Sequence, residues 1–197
     1  MFIDFLTLVM INLVAGTALL AYYLWRGIDE KDQRGYAAAF FGAGLISLVT
    51  GLQLSFTWPL PGSYNIGYGD ATTLFGVVFL ATSIALFFGS SLLPVSIYSF
   101  FAAIDALIVG VRIYTLNLTK EPLISAVGFI LAGLSGLGVF PLLMWFRENK
   151  VVRWIGILLL VGTTVLWAVT FYGSLWGHMD SFSKWPGMLN VPPAVAK

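Results

Sequence analysis

The sequence predicts an all-α, polytopic membrane protein: six transmembrane helices in a compact bundle built as three successive helical hairpins. Two observations carry this. Hydrophobic residues make up 59% of the 197-residue chain and charged residues only 10%, whereas soluble domains are about a quarter charged. The apolar residues also fall in runs separated by short polar breaks, and a helix needs ~20 such residues to cross a bilayer. Residues 1–197 read as a single domain whose short tail, 176–197, lies outside the membrane.

The spans run roughly Phe5–Trp25, Tyr36–Phe56, Ala71–Phe88, Leu92–Tyr114, Leu123–Phe146 and Val151–Leu175. Ahead of the first, Met1-Phe2-Ile3-Asp4-Phe5 lacks the basic segment and small-residue cleavage site of a removable signal, so that run is expected to stay as a helix. The first break, Arg26 to Arg34, is charged and short. The second, Thr57 to Asp70, is the longest polar-aromatic interruption; Trp58-Pro59 and Pro61-Gly62 suit a rigid turn. Asn65, Gly67 and Gly69 suit further tight backbone, and Asp70 is placed as the N-cap of the third helix. Gly89-Ser90-Ser91 is a tight turn, and Pro94 falls in the first turn of the fourth span, where a missing N–H costs little. The fifth break, Arg147-Glu148-Asn149-Lys150, is basic, and Arg153 follows it.

Orientation follows from the basic residues. Arg26, Lys31, Arg34, Arg147, Lys150 and Arg153 all fall on the side of the odd-numbered breaks, which the positive-inside rule places in the cytoplasm. Both termini are then outside the cell membrane. Tyr22, Trp25, Trp145 and Trp154 mark the inner interface and Trp58, Tyr64, Tyr114, Tyr172 and Trp176 the outer.

In lipid, helices associate largely through small residues that let backbones approach. Ala43, Ser47, Gly51 and Ser55 form such a row on span two, and Gly128, Ala132 and Gly136 on span five. Each seam lies either within a protomer or between protomers. Asn12 and Gln53 are placed to bridge helices.

Polar residues inside the spans are the candidates for function. Asp105 lies past the middle of span four, where an unpaired carboxylate costs roughly 2.5–3.5 kcal/mol on insertion scales. Tyr98, Asp105 and Arg112 are spaced by seven and share a helix face to within about 20° per step, with ~10 Å between successive members. Either this stripe lines a wet pathway, or the carboxyl is protonated or bonded to a neighbouring helix. Span six carries a second row, Gly156, Thr163, Thr170 and Gly177, flanked by Trp167; its hydroxyls either join the pathway or bond their own helix. Trp58, Tyr64, Asp70 and His178 fall at the expected outer mouth. His178, the single histidine, reads as a surface residue able to respond to external pH; no spacing indicates a metal site. Asn117-Leu118-Thr119 has the form of an N-glycosylation sequon.

Several classes are disfavoured. A formal net charge of +1 gives no electrostatic case for nucleic acid. The absence of cysteine removes disulfides, thiolate metal ligation and a cysteine nucleophile. Without a nucleophile elbow, phosphate loop or dinucleotide fingerprint, the chain is expected to be neither an enzyme nor a cofactor carrier.

The run Thr57 to Ile66, followed by Gly69-Asp70 and Leu74-Phe75-Gly76, resembles a family of archaeal and bacterial membrane proteins described only as a domain of unknown function. Two segments also resemble the urea and short-chain amide channel family. Tyr68 to Gly76 is similar to the start of its third span, and Pro94 to Asp105 to its fourth. That resemblance implies a narrow, aromatic-lined pore in each protomer of a homo-oligomeric ring. The sequence departs from it in carrying Asp105 in place of a neutral amide and an outer loop without histidines. The reading is therefore a channel for small uncharged polar solutes such as urea or amides. The alternatives are a non-catalytic subunit of a larger membrane complex, for instance a respiratory one, and a proton-coupled transporter using Asp105.

Overall fold

The computed structural model describes residues 5–183. Its six helices are α1 (Phe5–Trp25), α2 (Arg34–Thr57), α3 (Tyr64–Phe88), α4 (Leu93–Thr115), α5 (Pro122–Trp145) and α6 (Lys150–Ser183), with one 3₁₀ turn, Gly27–Asp29, between α1 and α2. All six are long and apolar enough to cross a membrane. Packing runs from each helix to the next and from α6 back to α1, so the bundle is a closed ring. The tightest pairs are α2 with α3, α4 with α5, and α1 with α6. Two of these are joined by the even-numbered connections, because that is where the small residues meet.

On the α2–α3 seam, Gly44 lies under the backbone of Leu80, Gly51 under that of Thr73, and Gly76 against that of Leu48. A methyl group at any of them would collide with main chain, so close approach requires glycine here. On the α4–α5 seam, Gly133 meets Leu107 and the Ala103 carbonyl, and Gly136 meets the Ala103 methyl. Both small-residue rows thus serve contacts within the protomer. Ala43 and Ser47 turn toward α1 instead, where the Asn12 amide donates to the Ala43 carbonyl and the Ser47 hydroxyl, each at 2.8 Å. Gln53 makes no side-chain hydrogen bond among the described residues. An Asn12→Ala variant is expected to lose about 1 kcal/mol of stability, measurable by denaturant titration in detergent.

Two boundaries differ from the sequence expectation. The third helix begins at Tyr64, not Ala71, and Asp70 lies inside it and accepts a hydrogen bond from the Ser55 hydroxyl at 3.0 Å, so it is not an N-cap. The side chain that ties the connection is Asn65. Its amide donates to the carbonyls of Leu60 and Gly62, and its oxygen accepts from the Leu60 N–H at 2.9 Å. With the turn closed there, Gly67 and Gly69 are helical, and Gly69 gives Ser55 its close approach. The turn itself places Trp58 (φ +46°) and Gly62 (φ +53°) in the left-handed region. At the other end of the chain, α6 continues to Ser183, so the first residues of the expected tail are helical. The rest of the tail lies outside the described residues.

Candidate functional site

Between the helices of the ring lies a chamber of about 110 Å³. α1 contributes Leu13, Thr17 and Leu20; α3 contributes Thr72 and the stacked rings of Phe75 and Phe79, whose centroids are 4.1 Å apart. α4 turns Ser99, Ala102, Ala103 and Ala106 inward, and Phe129 and Trp167 come from α5 and α6. Among the described residues, no charged side chain lines it. Thr17 and Ser135 bond backbone carbonyls of their own helices. The hydroxyls of Thr72 and Ser99 make no hydrogen bond among the described residues, which leaves them to whatever enters.

A narrower cavity of about 50 Å³ follows, sharing Leu20, Val78, Phe79, Ser99 and Val139 with the chamber. It in turn shares Tyr23, Ile28, Leu92 and Leu143 with an open polar vestibule of about 550 Å³. The order is the same on every contributing helix. Along α3 the lining advances from Ala71–Phe79 through Thr82 to Leu86, and along α5 from Phe129–Val139 to Leu143, with Arg147 just beyond. The three cavities therefore lie in series along the bundle, ending among the basic odd-numbered breaks. At the opposite end a run of aromatic contacts adjoins the chamber. Tyr64 stacks on Tyr68, Tyr68 meets Phe129, Phe129 meets Trp167 edge to face, and Trp167 stacks on Phe171.

The residues singled out from the sequence divide. Trp167 lines the chamber. Tyr98, Asp105 and Arg112 do not: Tyr98 and Arg112 are exposed on the outside of α4, and Asp105 is half-buried. At 100° per residue, Asp105 is turned well away from the Ser99–Ala102–Ala106 row. One of its carboxyl oxygens is buried without a hydrogen-bond partner among the described residues, and Asp70 of α3 lies within electrostatic range. Thr163 and Thr170 bond the carbonyls of Leu159 and Leu166 at 2.9 and 2.8 Å, and neither lines the chamber. Trp58 is exposed, Tyr64 donates to the Leu118 carbonyl, and His178 sits 3.3 Å from the Thr7 hydroxyl. Sequence reading missed the α3 and α4 lining, Thr72, Phe75, Phe79, Ser99 and Ala102. Its available signal was the small-residue row on α4.

These features define a multi-pass helical membrane protein with a chamber lined by uncharged side chains. The chain belongs to the family described as "Protein of unknown function (DUF981)", whose model matches residues 1–181. Its fold is similar to that of the urea channel from the human gastric pathogen Helicobacter pylori. The TM-score is 0.61 at 21% identity, over 79% of this chain and 92% of that one. No curated protein sequence matches it.

Proposed function

We propose that the protein is a passive channel for small uncharged polar solutes of the urea or short-amide kind. It works as a homo-oligomer in the cell membrane, with the vestibule on the cytoplasmic side and both termini outside. The observation that carries this reading is the series of three cavities inside one protomer. Its chemistry suits neutral solutes. An ion entering the chamber would surrender its hydration to alkyl and aromatic side chains, at a cost of several kcal/mol or more. A small amide gives up less, and the Thr72 and Ser99 hydroxyls offer replacement partners while the stacked rings set the width. The likeness to a urea channel supports the same reading at the level of fold, and the basic residues at the vestibule end support the orientation.

Proteoliposomes test it by stopped-flow light scattering. Urea or acetamide is expected to equilibrate faster than in protein-free vesicles, with no rise in sodium or chloride leak. Rates equal to those of empty vesicles would reject the channel and favour a scaffolding subunit.

A further inference from the structure

The vestibule has a chemistry that the passage of neutral solutes does not require. Lys31 and Arg147 line it from two different connections and Arg34 from the start of α2, against a single acid, Asp32. Three of the carboxylates nearby in sequence have other partners, and Glu148, next to Arg147, is exposed and does not line the cavity. Asp29 pairs with Arg153 at 2.6 Å, Glu30 accepts from the Tyr36 hydroxyl at 2.9 Å, and Asp32 accepts from the Arg34 backbone N–H at 3.1 Å. Among the described residues, Lys31, Arg34 and Arg147 make no ion pair. The positive-inside bias accounts for basic residues on this side, but not for three of them around one cavity against a single lining acid. Arg26, by contrast, sits over the Trp25 ring at 5.6 Å.

Two further features point the same way. The first residues of α2 and α4, Arg34 and Leu93, border the cavity; the Asp32 carboxylate already accepts the Arg34 N–H, so the α4 N-terminus is the one that adds its partial positive charge. Ser90 and Ser91 also line it. Ser91 accepts the Leu93 N–H at 3.2 Å and keeps its own O–H to donate, and the Ser90 hydroxyl makes no hydrogen bond among the described residues. The geometry points to a binding site for a phosphate-bearing anion, held by the forked guanidinium groups of Arg34 and Arg147, the Lys31 ammonium and the serine hydroxyls. The source is either a soluble phosphate compound or an anionic lipid head group reaching into the mouth. Binding stands independently of the channel reading. Its consequence, that an occupied vestibule slows solute access to the neck, rests on that reading.

Equilibrium dialysis of the full chain in neutral detergent against labelled inorganic phosphate at low salt tests the site directly. Saturable binding is expected, weakened roughly tenfold or more by Arg34→Gln and by Arg147→Gln, in keeping with loss of a charge-assisted bond, and unchanged by Arg26→Gln. The two arginines sit on different elements, the start of α2 and the α5–α6 connection, so misfolding of one variant leaves the other to decide. Absence of saturable binding, or equal weakening by Arg26→Gln, overturns the site. In nanodiscs, competition by phosphatidylglycerol against a phosphatidylcholine background supports the site with a head-group ligand. Phosphate binding indifferent to that lipid supports it with a soluble one. Solute flux is read separately, so failure of binding and failure of the channel are distinct results.

Discussion

An Ala102→Phe protomer is expected to be folded and impermeable. Ala102 belongs to the inward row of α4 but is only half-buried and stands outside the seam with α5. Its neighbour Ala103 carries that seam against Gly133 and Gly136, and enlarging it would separate the helices. A benzyl group at position 102 has a chamber of about 110 Å³ to enter, and there it takes the space a solute must occupy. Because the cavity already exists, filling it costs little packing elsewhere; overpacking is destabilising when no space is available. Urea and acetamide flux in proteoliposomes should fall to the level of empty vesicles, while thermal unfolding and gel-filtration behaviour stay as in the unmodified protein. The matched control is Ala39→Phe, an exposed position on α2, which should change neither. If Ala102→Phe conducts normally, solutes do not pass through the chamber and the proposed function fails.

The architecture was legible because hydropathy reports the bilayer directly. Six runs and five breaks follow from where backbone polar groups must be satisfied within the helix, and those six helices are what the structure holds. Boundaries were less legible where one residue type serves two purposes. Gly67 and Gly69 suited a turn as well as a close helix contact, and only the bonds of Asn65 to Leu60 and Gly62 decide between them. The chamber was hidden for a different reason. In a ring of membrane helices the inner and outer faces are both apolar, so Phe75 and Phe79, facing inward, are the same residue type as Phe101 and Phe88, which are exposed. Polarity was the available beacon, and it led to Tyr98, Asp105 and Arg112, a face of α4 other than the one that lines the cavity. The row Ser99, Ala102, Ala103, Ala106 is readable only as small residues at three- and four-residue spacing. Such a row signals helix contact as well as an open space, and part of it serves each purpose.

Gly76→Ala is expected to be the most destabilising single-methyl change in the bundle, by about 2–3 kcal/mol. An added Cβ would lie 2.8 Å from the Leu48 Cα and 3.0 Å from the Gly44 carbonyl oxygen. These are main-chain atoms on the facing helix, so no rotamer change relieves the contact and α2 and α3 must move apart. Gly138→Ala on α5 is the contrast: among the described residues nothing stands within 4 Å of the added methyl, and replacing a helical glycine gains up to about 1 kcal/mol from the backbone. Denaturant unfolding in detergent should therefore move in opposite directions for two chemically identical substitutions. A Gly76→Ala protein as stable as its parent would show that α2 and α3 are not in backbone contact. The effect should extend to transport, although Gly76 lines none of the three cavities. α3 is a shared wall, packed on α2 through Gly76 and facing the chamber through Thr72, Phe75, Val78 and Phe79. A methyl wedged behind it drives those side chains inward, so the fraction of Gly76→Ala that remains folded should pass urea more slowly.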